Sequence, residues 1–122
     1  MRSLTAGICL LLAIVMLGSA EASAQKAKTK VTVGGWEEGA PTGSWFGYVS
    51  SEKKKCQKHR VVQFYMRQGK ENLELGSDET QKDGKKWLWV VPDAAPESGE
   101  YFALAAPIPG CKRGESKIFS VP

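Results

Sequence analysis

One histidine limits the chemistry open to this chain. His59 is the only imidazole in 122 residues, so any Ser-His-Asp or Cys-His nucleophilic site has to be built on it. It stands between two cations in Lys58-His59-Arg60, and no Gly-x-Ser-x-Gly elbow occurs. Cys56-Gln57-Lys58-His59 has the C-x-x-H spacing of half a metal site, and Cys111 adds a donor. Structural zinc takes four ligands, no fourth of the right kind is present, and the neighbouring lysines repel a cation. Asp78-Glu79 lacks the alternating oxygen ladder of a calcium loop. Glu37-Glu38 beside Trp36 puts two carboxylates near a sugar platform, but glycoside hydrolysis needs its acids opposed across a cleft rather than adjacent in a loop. The residue chemistry therefore predicts no catalytic residue, no metal ligand, no cofactor and no enzyme.

Aromatic residues leave binding chemistry open. Trp87 and Trp89 share a strand face with Val91, which places them in a core. Trp36 lies in the Gly-rich stretch Gly34–Gly43 and Trp45 heads an apolar run. These two are the candidate ligand-binding residues, since exposed indole faces stack on sugar rings. The competing reading makes Trp36 a lid over the open end of the core.

The N-terminal segment says where such a domain works. Arg2, the apolar run Ile8 to Leu17, and Ala22-Ser23-Ala24 before Gln25 have the order of a secretory leader. The apolar run is too short to span a bilayer, which needs about 20 residues. Residues 1–24 are read as a signal peptide and the mature product as secreted or periplasmic, with no stable membrane insertion after cleavage. Cys9 departs with the leader. Cys56 and Cys111 remain, and two cysteines in an oxidising compartment pair most simply with each other. Closing so long a loop contributes ~4 kcal/mol on the chain-entropy model. The net charge of +4 is concentrated in Lys26, Lys28 and Lys30 and in Lys53, Lys54, Lys55, Lys58 and Arg60. Such a field draws anionic polymers, or the lysines simply guard strand ends. Export argues against nucleic acid as a partner.

The elements that position these residues are strands. Residues 25–30 are polar and read as a disordered linker, and residues 31–122 as one domain. Period-two runs occupy Lys30–Gly34, Ser44–Ser51, Arg60–Arg67, Glu71–Ser77, Lys85–Val91, Gly99–Ala105 and Lys117–Val121. Asp83-Gly84 has the signature of a type I′ hairpin. Pro92–Ser98 and Ala106–Gly114 are loops. Seven short strands with both faces partly apolar need two layers to bury them. The expected fold is an all-β, seven-stranded antiparallel Greek-key sandwich with a Cys56–Cys111 disulfide.

Gly47-Tyr48-Val49 followed by Arg60-Val61-Val62-Gln63-Phe64 resembles the opening strands of carboxypeptidase regulatory-like domains. Thr80-Gln81-Lys82-Asp83-Gly84-Lys85-Lys86-Trp87-Leu88-Trp89, then Gly99-Glu100-Tyr101-Phe102-Ala103-Leu104, is similar to their second half. The resemblance covers roughly Val31 to Val121. It implies a transthyretin-like (prealbumin-like) sandwich of exported bacterial proteins with no catalytic residues, and a Tyr101 that packs in the core. Pro92–Ser98 is longer than the family's linker, and the cysteine pair is outside its pattern. The expectation is a non-catalytic module acting by contact with a protein or an envelope polysaccharide. The alternative is a carbohydrate-binding module using Trp36 and Trp45, with Lys53–Lys55 attracting acidic sugars.

Overall fold

Alternating side-chain direction along a strand gives each apolar run one face to bury. The computed structural model describes residues 26–39 and 42–122, and the expected leader lies outside them. Nine strands form there: β1 Lys30–Glu37, β2 Ser44–Ser50, β3 Val61–Gln68, β4 Glu71–Glu79, β5 Gln81–Asp83, β6 Lys86–Pro92, β7 Gly99–Ala105, β8 Gly114–Glu115 and β9 Phe119–Val121. All pairings between them are antiparallel. One sheet has the order β1-β2-β6-β5. The other runs β4-β3-β7, with β8 and β9 both pairing with β7. The only helical element among the described residues is a 3₁₀ turn, Lys54–Cys56.

The two sheets pack face to face. Val31, Trp45, Val49, Trp89 and Val91 come from the first, and Val62, Phe64, Tyr101, Ala103 and Ala105 from the second. Trp89 of β6 reaches across β2 to β1. Its Nε1 donates to the Thr32 carbonyl oxygen of β1 at 3.2 Å. The ring passes over Gly47 of β2, where a Cβ would collide with both the indole and that carbonyl. Gly47 is thus required by close approach rather than by its dihedrals.

The structure has nine strands rather than the expected seven, because the short β5 and β8 add to the count; the seven expected strands all overlap observed ones, with three further differences. β1 does not stop at Gly34. A bulge between Val33 and Gly35 lets it continue to Glu37. The hairpin turn is shifted by one residue, because Asp83 pairs with Lys86. Gly84, with φ 61°, is therefore the first of two loop residues, which is the glycine position of a type II′ turn rather than I′. The segment expected to be a disordered linker is fastened from Ala27 onward. Ala27 N donates to Gly110 O at 3.0 Å, and Lys112 N donates to Ala27 O at 2.8 Å.

Candidate functional surface

The strand register gathers one set of loops at each end of the sandwich. Lys30 pairs with Ser50, Val61 with Glu79, and Ala105 with Gly114. The N-terminal segment, the 3₁₀ turn, the β4–β5 link and the β7–β8 loop therefore meet at one end. Cys56 and Cys111 are disulfide-bonded there, with an S–S distance of 2.01 Å, and both are fully buried.

Arg60 completes this joint. Its side chain was expected in the exposed basic run, yet the residue is 2% exposed. Nη1 donates to Thr29 Oγ1 at 3.0 Å and Cys56 O at 2.9 Å. Nη2 donates to Ala106 O at 2.8 Å and Lys112 O at 3.0 Å. One guanidinium thereby ties the N-terminal segment, the 3₁₀ turn and the β7–β8 loop together through four neutral oxygens, using the fork of donors that lysine lacks. Burial lowers the pKa of this group, and the guanidinium remains charged at any ordinary pH. Thr80, also buried, accepts from Arg60 N at 2.8 Å and donates to Gln57 O at 2.5 Å.

The surface over this joint is cationic. Lys26, Lys28 and Lys30 lie on one flank, Lys53, Lys54, Lys55 and Lys58 on the turn, and Lys112 and Arg113 on the β7–β8 loop, all exposed. The β5–β6 hairpin adds Lys82, Lys85 and Lys86. Against them stand Glu52, Glu79, Asp83 and Glu115. Glu79 contacts His59 Nδ1 at 3.0 Å, and Glu115 contacts Arg113 at 3.4 Å. The opposite end reverses the sign. Glu37, Glu38, Glu71, Asp93, Glu97 and Glu100 face Arg67, Lys70 and Lys117. Patches read from sequence as separate runs are in fact one basic end.

The tryptophan candidates sit at the acidic end. Trp45 is 3% exposed, with ring centroids of Tyr101, Phe64 and Phe119 at 5.0, 5.1 and 5.8 Å. Its Nε1 donates to Ala94 O at 2.6 Å. Trp45 thus fills core and presents no ring face to a sugar. Trp36 lies on β1, half-buried, edge-on to Trp45 at 5.7 Å and 67°, and Gly43 packs against its ring. The two indoles do not form a coplanar platform.

His59 has φ 51° and is exposed, its ring edge-on to Trp87 at 6.0 Å. The C-x-x-H spacing holds no thiolate, since both sulfurs are spent on the disulfide. Among the described residues no three His, Cys, Asp or Glu side chains converge as a metal site, and no helix is long and apolar enough to cross a membrane.

Sequence reasoning missed two features. Burial of Arg60 has no signal in a run of lysines. A cleft of about 330 Å³ on the outer face of the first sheet, floored by Phe46, Tyr48, Leu88 and Val90, could have been found. Both faces of Ser44–Ser50 and Lys86–Pro92 are apolar, more than a single core needs. Comparison with known proteins finds no matching family model, no matching curated protein and no matching solved structure.

Proposed function

We propose that this protein is an exported, non-catalytic binding module whose basic, disulfide-clamped end contacts an anionic polymer of the cell envelope. The observation that carries this reading is the segregation of charge along the strand axis, with lysines from sequence-distant segments meeting at one end. A surface with a large excess of one sign raises the local concentration of a polyanion and steers its approach. Rigid mounting matters too, because the disulfide and the Arg60 joint hold the lysine-bearing loops in place before binding, so less ordering entropy is lost on association.

Removal of a leader ending at Ala24 would leave Lys26 beside this surface, one residue before the anchored Ala27. The sheet order and the Tyr101 hydroxyl, which accepts from Glu97 N and donates to Glu97 O at 2.8 Å each, support a Greek-key sandwich. That hook is also the corner used by immunoglobulin-type sandwiches. Together with the resemblance to carboxypeptidase regulatory-like domains it favours an accessory role, an analogy at the level of fold.

The test is retention on an immobilised carboxylated or sulfated polysaccharide, eluted with a salt gradient. The wild type is expected to be retained and Lys53→Glu/Lys54→Glu/Lys55→Glu to pass through, with a neutral glucan retaining neither. Equal retention of the triple variant, or binding to the neutral glucan, contradicts the reading.

A further inference from the structure

The outer face of the first sheet carries a second surface of opposite chemistry. Phe46 and Tyr48 of β2 and Leu88 and Val90 of β6 point away from the core and stay partly exposed. The two rings meet edge to face at 6.4 Å and 81°. They floor the cleft of about 330 Å³, whose rim carries Glu37, Glu38 and Asp83. Among the described residues none of these three carboxylates has an ion-pair partner.

An aromatic floor under unpaired carboxylates suits an ammonium group on an apolar stem, which is a lysine side chain. The chain shows the preference on itself, since Lys86 Nζ lies 4.9 Å over the Tyr48 ring centroid. Exposed lysines in quantity are found on this same molecule at the basic end, on the turn that bears Lys53, Lys54 and Lys55. Glu37 and Glu38 lie where β1 ends and the turn follows the end of β2, which runs antiparallel to β1. One copy therefore cannot fold its own turn onto Glu37 and Glu38.

We propose that the cleft receives the lysine turn of a second copy of this chain, so that molecules associate head to tail. Such a contact joins two different patches, so each pair keeps one cleft and one turn free and association continues into chains, or into a ring where the rotation closes. It uses the basic end that the proposed function assigns to a polyanion, so a soluble polyanion competes with it. Attraction between exposed charges is screened by salt, with a Debye length of about 30 Å at 0.01 M and about 8 Å at 0.15 M.

Sedimentation velocity of the purified protein over a wide concentration range, at low and at high salt, tests this. The weight-average mass is expected to rise with concentration at low salt and to stay monomeric at high salt. Glu37→Lys/Glu38→Lys and Lys53→Glu/Lys54→Glu/Lys55→Glu should each lose the rise when alone, and an equimolar mixture of the two should regain it. Both sets of positions are exposed, and far-UV circular dichroism confirms that the variants fold. A monomeric wild type at every concentration overturns the proposal. So does wild-type association by the glutamate variant, or a mixture that stays monomeric. Retention of Glu37→Gln/Glu38→Gln on acidic polysaccharide, with its basic end intact and no lysine added, reports separately on the proposed function.

Discussion

The two ends of this sandwich are fastened by different physics. The basic end is joined by a covalent bond and by polar groups buried on neutral oxygens, with Cys56–Cys111, Arg60 and Thr80 spanning segments far apart in sequence. The acidic end is closed by rings. Trp45, Phe64, Tyr101 and Phe119 stack there, and two side chains hook the 93–98 loop, Trp45 to Ala94 O and Tyr101 to Glu97. The difference follows from composition. Lysine-rich loops have little apolar surface to bury, so they are held by cross-links, whereas the aromatic strands supply the area that closes their end, with hydrogen bonds from the same rings fixing the loop.

Three substitutions break the comparison in different places, and the largest effect is at the basic end. Replacing both cysteines, Cys56→Ser/Cys111→Ser, is expected to destabilise the fold by about 2–5 kcal/mol and to release the lysine loops, so chemical denaturation shows a large loss and polysaccharide retention weakens in the fraction still folded. Trp45→Ala is expected to destabilise by about 3–4 kcal/mol, again by denaturation, while retention of the folded protein is unchanged because the basic end is untouched. If Trp45→Ala weakens retention as strongly as the cysteine pair does, the ends are not independent. Tyr101→Phe leaves Glu97 N and O without their partner. It is expected to lower stability by about 1 kcal/mol and to speed amide exchange in the 93–98 loop only.

Much of this arrangement was legible in the sequence, and the misses have physical causes. Gly99–Ala105 alternates cleanly and is a strand with those bounds. The cysteine pairing follows from there being only two beyond the expected leader, and the structure bonds them. The sequence pattern ends β1 at Gly34 because glycine reads as a loop, whereas in the structure Gly34 makes room for the Phe46 ring beside a bulge. Ala27 gives no local signal because its anchoring is tertiary, backbone hydrogen bonds to Gly110 and Lys112 and packing of its methyl against the disulfide. Arg60 looked like one more solvated cation. Its burial depends on four oxygens brought together by the tertiary fold, and no local pattern encodes that. Trp36 and Trp45 were singled out by residue type, and the register that turns Trp45 inward with Val49 was already present in the alternation of Ser44–Ser50.

Residue-resolved NMR during titration with an acidic oligosaccharide tests the central claim most directly, because it reports both ends at once. The amide shifts are expected to be confined to Lys28, the Lys53–Lys58 segment and Lys112, and to collapse with added salt, leaving the resonances of Glu37, Glu38 and Glu97 in place. Shifts centred on Trp36 and the acidic loops, or no shifts at low salt, would contradict it.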